Sequence, residues 1–187
     1  MGEPAISMTR AYERDEDLAA ALAAGQPGAW QQLFDEHHQR IFQYAFIRTS
    51  NRSDADDIAS SVFVEAVKNI GSFTYRGVPV SAWLFRIARN EIADLLKRRG
   101  RTSTQSLSDD RLAGSLRATD SMEGRDGLSD VTSAMSHLKS EYRDVILLRF
   151  LHGLSVAETS AVMDKSEGAI KVTQTRALQS LRRALDG

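Results

Sequence analysis

Apolar residues recur along this chain at steps of three and four, and β-branched alternation at a step of two is nowhere sustained, so the elements it predicts are helices. Asp15 to Ala24 reads as a short alanine-rich helix with acids at its start, where the helix dipole favours them, and Gly25-Gln26-Pro27-Gly28 breaks it. Ala29 to Thr49 keeps Trp30, Leu33, Phe34, Ile41, Tyr44, Ala45 and Phe46 at helical spacing. After a polar loop at Ser50 to Ser53, a helix opens on Asp54-Ala55-Asp56-Asp57, capped by Ser53 or Asp54, and turns Ile58, Val62, Phe63, Ala66, Val67 and Ile70 inward. The segment GSFTYRGVP, Gly71 to Pro79, is a loop. Ser81 to Arg99 is another amphipathic helix, packed through Trp83, Leu84, Ile87, Ile92, Leu95 and Leu96.

The pattern then lapses. Gly100 to Gly127 is rich in Ser, Thr, Gly and Asp with scattered leucines, the composition of a flexible linker and domain boundary. Periodicity resumes in two helices, Leu128 to Leu138 and Ser140 to Leu151, and in a last block, Leu154 to Leu185. That block opens with Ser155 and Glu158 at capping-box spacing, preceded by Gly153, which can adopt the left-handed conformation that ends a helix. A short helix, Val156 to Met163, meets the polar turn Asp164-Lys165-Ser166. A longer helix follows with Ile170, Ala177, Leu178, Leu181 and Leu185 on one face and Lys171, Thr173, Thr175 and Arg176 largely off it. Two helices across a tight turn, the second presenting basic and polar residues, describe a helix-turn-helix. The fold expected is therefore all-α, in two small helical domains: residues 15–99 and 128–187, after a flexible segment 1–14 and around a linker 100–127.

Composition changes this picture in one respect. The net charge of −1 conceals segregation: acids dominate through Ala66, whereas Arg86, Arg89, Lys97, Arg98, Arg99 and Arg101 outweigh Glu91 and Asp94, and the last helix is also basic. Such a split suits two partners, one a nucleic acid and one that prefers an acidic surface. The absence of cysteine removes disulfides and thiolate metal sites and suits a reducing cytoplasm. No run approaches the ~18 apolar residues of a membrane span, and the N-terminus lacks the order of a signal peptide.

Candidate chemistry is binding chemistry. Three acids in the first turn from Asp54 are partly explained by capping and the dipole; their further reading is an acidic knob for a basic protein surface. Phe73, Tyr75 and Arg76 in a loop are either core plugs or a platform for unpaired bases. His37 and His38 have no second ligand pair nearby, which argues against a metal, and no phosphate-binding glycine loop occurs, so no cofactor is expected. An enzyme using Asp54, Asp56, Asp57 and a histidine lacks a convergent nucleophile or base. A conventional helix-turn-helix regulator that binds duplex DNA alone would leave the acidic helix and the aromatic loop without a use.

The blocks AWQQLFDEHHQRIFQYA, DADDIASSVFVEAV, SAWLFRIARNEIADLLKRR and LKSEYRDVILLRFLHGLSVAETSAVMDKSEGAIKVTQTRALQSLRRAL stand in an order and spacing that resembles the extracytoplasmic-function (group IV) sigma factors of bacterial RNA polymerase, over nearly everything from Ala29 to Leu185. The resemblance implies sigma domain 2 and sigma domain 4, acting in promoter recognition and opening without catalysis. Asp57, with Asp56 nearby and Ser60 and Ser61 one turn on, would meet the clamp helices of the β′ subunit. Ser72, Phe73, Tyr75 and Arg76 would capture bases of the −10 element, and Arg86, Arg89, Asn90, Lys97 and Arg98 would hold the adjoining DNA. Lys171, Val172, Thr173, Thr175 and Arg176 would meet the −35 element, while the apolar face of domain 4 meets the β flap. An anti-sigma factor is a further implied partner. Two departures stand out: Ser60-Ser61 replaces the family's Gln-Glu, and Val172-Thr173 replaces its Ser-Arg. The second substitution would remove a contact worth about 1–3 kcal/mol if bidentate, so an atypical −35 sequence is expected.

Overall fold

The computed structural model describes residues 12–103 and 135–186, and every regular element among them is helical. The order is α1 (Asp15–Ala23), α2 (Pro27–Thr49), α3 (Arg52–Asn69), a 3₁₀ turn (Ile70–Ser72), α4 (Val80–Ser103), α5 (Ser140–Ile146) running into a π-helical turn (Leu147–Leu151), α6 (Val156–Met163) and α7 (Glu167–Asp186).

Local chemistry accounts for these boundaries. Gly25, at φ +69°, ends α1, and Pro27 enters α2 at a position where its missing N–H costs nothing. Ser50, at φ 53°, closes α2, and the Asn51 side chain accepts a 3.0 Å hydrogen bond from the Asp54 amide. The expected cap at Ser53 or Asp54 is thereby corrected: α3 starts at Arg52, because a left-handed Ser50 leaves Asn51 free to cap. The boundary expected at residue 99 also moves. α4 continues through Gly100 to Ser103, since one glycine near an exposed helix end costs only about 1 kcal/mol. The remainder of the expected linker, residues 104–127, and residues 128–134 of the expected helix to Leu138 lie outside the described residues, as do residues 1–11. Tyr12 is described: its amide donates to the Gln32 side chain, whose own amide donates back to the Tyr12 carbonyl.

Helices α2, α3 and α4 pack on one another, with α1 against α2 and α4. Leu22, Leu33, Ile41, Tyr44, Val62, Leu84, Phe85 and Ile92 form the fully buried interior of this first unit. In the second unit α5 and α6 both pack on α7 through Leu147, Leu148, Val162, Met163, Ile170 and Ala177. The two units are in contact. α6 lies against α4, so one face of the helix that ends the first unit is covered by the second.

Candidate nucleic-acid interface

The acidic start of α3 divides its charges. Asp54 is paired to Arg99 of α4 at 2.7 Å, which ties the two helices together. Asp56 lies 3.9 Å from Arg52 within α3, and Asp57 is exposed. Ser60 and Ser61 are exposed one turn later, and the Ser61 hydroxyl donates to Glu91 of α4 at 2.9 Å. Burial raises the Glu91 carboxyl above its ordinary value, and the Ser61 bond offsets part of that rise. Between α3 and α4 lies an open groove of about 680 Å³ with Asp57, Ser61, Asp94 and Arg98 among its walls. Asp57 and the two serines thus present one continuous surface.

The aromatic loop is partly committed to packing. The Phe73 ring lies 5.1 Å from that of Trp83, and both Phe73 and Tyr75 are half-buried against the core. Ser72 and Arg76 are exposed, although the Ser72 hydroxyl donates to the Asn69 carbonyl at 2.8 Å. On α4, Arg86 and Asn90 sit one turn apart and are exposed, as are Lys97 and Arg98. Arg89 departs from this group: its Nε is 3.2 Å from the Asp144 carboxylate of α5. It faces the second unit, not the exposed side of α4.

In the second unit the capping box forms as the spacing predicts. The Ser155 amide donates to Glu158 Oε2 at 2.6 Å and the Glu158 amide to Ser155 Oγ at 3.1 Å. Gly153 takes φ +70° before it, and Asp164, at φ 54°, ends α6. The Ser166 hydroxyl then accepts from the Ala169 amide and opens α7. On α7, Lys171, Val172, Thr175 and Arg176 are exposed, Val172 at 51%. Thr173 does not join them. It is only 8% exposed because the steps 170, 173 and 177 trace the inward stripe of the helix, so the expectation that it faces DNA is corrected. Leu178 and Leu185, placed on the apolar face from sequence, are instead exposed. Arg149, which the sequence reading passed over, holds α7 in place: its Nε donates to Gln174 at 3.0 Å and its Nη1 to the Leu154 carbonyl.

A further constellation escaped the sequence reading. Asp144, 2% exposed, lies between the units with Arg48 Nε at 2.7 Å, Arg89 Nε at 3.2 Å, and the Tyr44 hydroxyl donating to it at 2.8 Å. Arg48 is buried as well and donates to the Ser140 hydroxyl at 2.7 Å. His152 fits edge-on against Tyr44 and beside Phe85, and its carbonyl accepts from Arg40. Burial and then the Asp144 charge push the Tyr44 phenol well above its ordinary value, and burial with Arg40 lowers the His152 imidazole to about 4. His152 is therefore neutral near pH 7, which agrees with its buried Nε2 meeting no hydrogen-bond partner among the described residues. Deleting one member of a buried ion pair costs roughly 3–5 kcal/mol. The only sequence signal for this cluster was a carboxylate set in an apolar run, Asp144-Val145-Ile146-Leu147-Leu148, and it names no partner.

Among the described residues no group of three or more His, Cys, Asp or Glu side chains could hold a metal, and no helix is long and apolar enough to cross a membrane. Residues 33–102 match the family Sigma-70 region 2, and residues 128–181 match Sigma-70, region 4. The chain belongs to the ECF RNA polymerase sigma factors. It is 32% identical to the ECF sigma factor SigM of Mycobacterium tuberculosis, across 97% of this chain and 90% of that one. It is 36% identical to the ECF sigma factor BldN of Streptomyces coelicolor over 90% of its own length, spanning 65% of BldN. Among solved structures it resembles CnrH in complex with the cytosolic domain of CnrY, with a TM-score of 0.70 and 29% identity, covering 92% of this chain and 97% of CnrH. It also resembles the sigma factor RpoE of Bartonella quintana in complex with the anti-sigma factor NepR, with a TM-score of 0.70 and 25% identity, covering 83% and 96%. The first unit is thus the region 2 domain of this sigma factor and the second its region 4 domain.

Proposed function

We propose that this sigma factor brings core RNA polymerase to its promoters through three surfaces and acts by binding alone, without covalent chemistry. Asp56, Asp57, Ser60 and Ser61 on α3 meet the β′ clamp helices, and the apolar surface of the region 4 domain meets the β flap. Ser72, Phe73, Tyr75 and Arg76, with Arg86, Asn90, Lys97 and Arg98 of α4, take the melted −10 strand, where aromatic stacking is worth about 1–3 kcal/mol per base. Lys171, Val172, Thr175 and Arg176 enter the major groove at the −35 element. Thr173 stays in the core, so the −35 preference is set by its four exposed neighbours on α7. An anti-sigma factor that covers these faces is the expected regulator, by analogy with RpoE and NepR. The place of action is the cytoplasm, where polymerase is found.

The observation that carries this reading is the outward row of Lys171, Val172, Thr175 and Arg176 on a second helix capped by Ser166, in a chain that also exposes Asp57 on a separate unit. Run-off transcription with sigma-free core polymerase on a promoter library tests it. Discrete starts that depend on the protein are expected. Binding to duplex DNA alone, with no core binding and no starts, would make it a conventional helix-turn-helix regulator instead.

A further inference from the structure

The row that α7 presents outward is apolar at its centre and cationic at its edges. At about 100° per residue, Gly168, Val172, Thr175 and Gln179 follow one line along the exposed side of the helix, with Lys171 on one flank and Arg176 on the other. Val172 is the large side chain of that line in the N-terminal half of α7, the half that meets base edges in a major groove, and it is 51% exposed. Gly168, one turn earlier, faces open space, so no side chain at that turn holds a base pair away from Val172.

The polar groups nearest to Val172 are engaged elsewhere. The Thr175 hydroxyl donates to the Lys171 carbonyl at 3.1 Å, so its proton is spent inside the helix. Gln174, whose amide is of the kind that reads adenine, accepts from Arg149 Nε at 3.0 Å. Gln179 lies about 10 Å further along the axis. The serine that the family carries at position 172 could donate or accept a hydrogen bond, whereas valine does neither. In the major groove one group alone answers such a side chain, the 5-methyl of thymine; a cytosine presents an amino donor that valine cannot meet.

We propose that Val172 reads a thymine of the −35 element by contact with its 5-methyl group, so that the element recognised by this sigma factor carries an A·T pair at that step. Lys171 and Arg176 flank the contact and take neighbouring phosphates or a guanine. This role rests on the entry of α7 into the −35 major groove proposed above, and adds to it the base selected and the group touched.

Holoenzyme formed from the full-length protein and core polymerase is assayed on a promoter taken from the run-off library. Each thymine of its −35 duplex, on either strand, is replaced in turn by deoxyuridine, which pairs alike and lacks only the 5-methyl group. One thymine should be sensitive: its replacement should raise the holoenzyme concentration for half-maximal binding by about fourfold, the factor expected for one buried methyl group. Val172→Ala keeps the helix but stops short of the base. It should weaken binding to the thymine duplex by a similar factor and bind the thymine and deoxyuridine duplexes equally. Lys171→Ala should weaken binding to both duplexes and keep their fourfold ratio. A −35 element without thymine, a duplex in which no replacement matters, or an undiminished ratio in Val172→Ala would overturn the role of Val172. If Lys171→Ala and Arg176→Ala still weaken binding in that event, α7 enters the groove and only the thymine contact is wrong. If neither variant changes binding, or no discrete starts appear from the library, the promoter reading of α7 fails and this role fails with it.

Discussion

His152 makes the packing between the two units sensitive to acid, by an amount the structure sets. Its imidazole is buried against Tyr44 and Phe85, with the Arg40 guanidinium on its own carbonyl, and is lowered to about 4 from an ordinary 6.5. Only the state in which His152 is released takes up a proton near pH 6.5. The buried state is therefore fully favoured above about 6.5 and loses stability as pH falls toward 4. At 1.36 kcal/mol per unit, the full loss is about 3 kcal/mol. Carboxylic acids as a class titrate toward the lower end of this range, so the informative quantity is a difference. His152→Phe keeps an aromatic ring against Tyr44 and Phe85 but has nothing to protonate. Urea unfolding of both proteins at pH 7.5, 6, 5 and 4 should show the wild type losing about 3 kcal/mol more than the variant, with most of the divergence between 6 and 4. Histidine NMR on the wild type should show one imidazole with a depressed midpoint, absent from the variant. Parallel stability curves, or a His152 imidazole whose midpoint is not depressed, would refute the reasoning.

Other outcomes follow from geometry already described. Ser155→Ala removes one half of the capping box and should cost about 1 kcal/mol of stability, read as a lower urea midpoint with an unchanged slope. Lys171→Ala should weaken promoter binding and reduce its salt slope by about 1, whereas Thr173→Arg should chiefly destabilise the region 4 domain by about 1–3 kcal/mol, because a long side chain is forced into the stripe between Ile170 and Ala177. If Thr173→Arg instead tightens −35 binding with no loss of stability, the inward placement is wrong. Arg76→Ala should slow promoter opening in a permanganate footprint without moving the melting temperature, since Arg76 is exposed. Phe73→Ala should do both, because that ring also packs on Trp83.

Most of the scaffold was legible because helices announce themselves in short-range pattern. The capping box at Ser155 and Glu158 and the left-handed Gly153 are satisfied within three residues and need no knowledge of the rest of the chain. The start of α3 was misplaced for a local reason: Asn51, Ser53 and Asp54 are all competent caps, and only the left-handed Ser50 decides among them. Thr173 was misread because its hydroxyl suggests the surface, whereas its position continues the buried spacing of Ile170 and Ala177. The gathering of Tyr44, Arg48 and Arg89 around Asp144 was illegible on other grounds. Asp144 lies 100 residues from Tyr44 and 55 from Arg89, and a pattern that shows which face of a helix is polar does not show what that face will meet. Arg89 accordingly looked equivalent to Arg86 until the second unit was in place.

One residue of length sets how the halves of this molecule face each other. From Leu147 to Leu151 the chain forms a wide turn, closed by the His152 amide on the Leu147 carbonyl five residues back. Each residue advances an α-helix by about 100°, so the extra member of this turn fixes the phase of everything after it. Winding the same residues as an ordinary α-helix would rotate the remainder by about a quarter turn. His152 would leave its seat against Tyr44 and Phe85, Arg149 would no longer reach Gln174, and the exposed row on α7 would point elsewhere, although every helix survived. The relative bearing of the two ends is thus encoded in the width of a single turn.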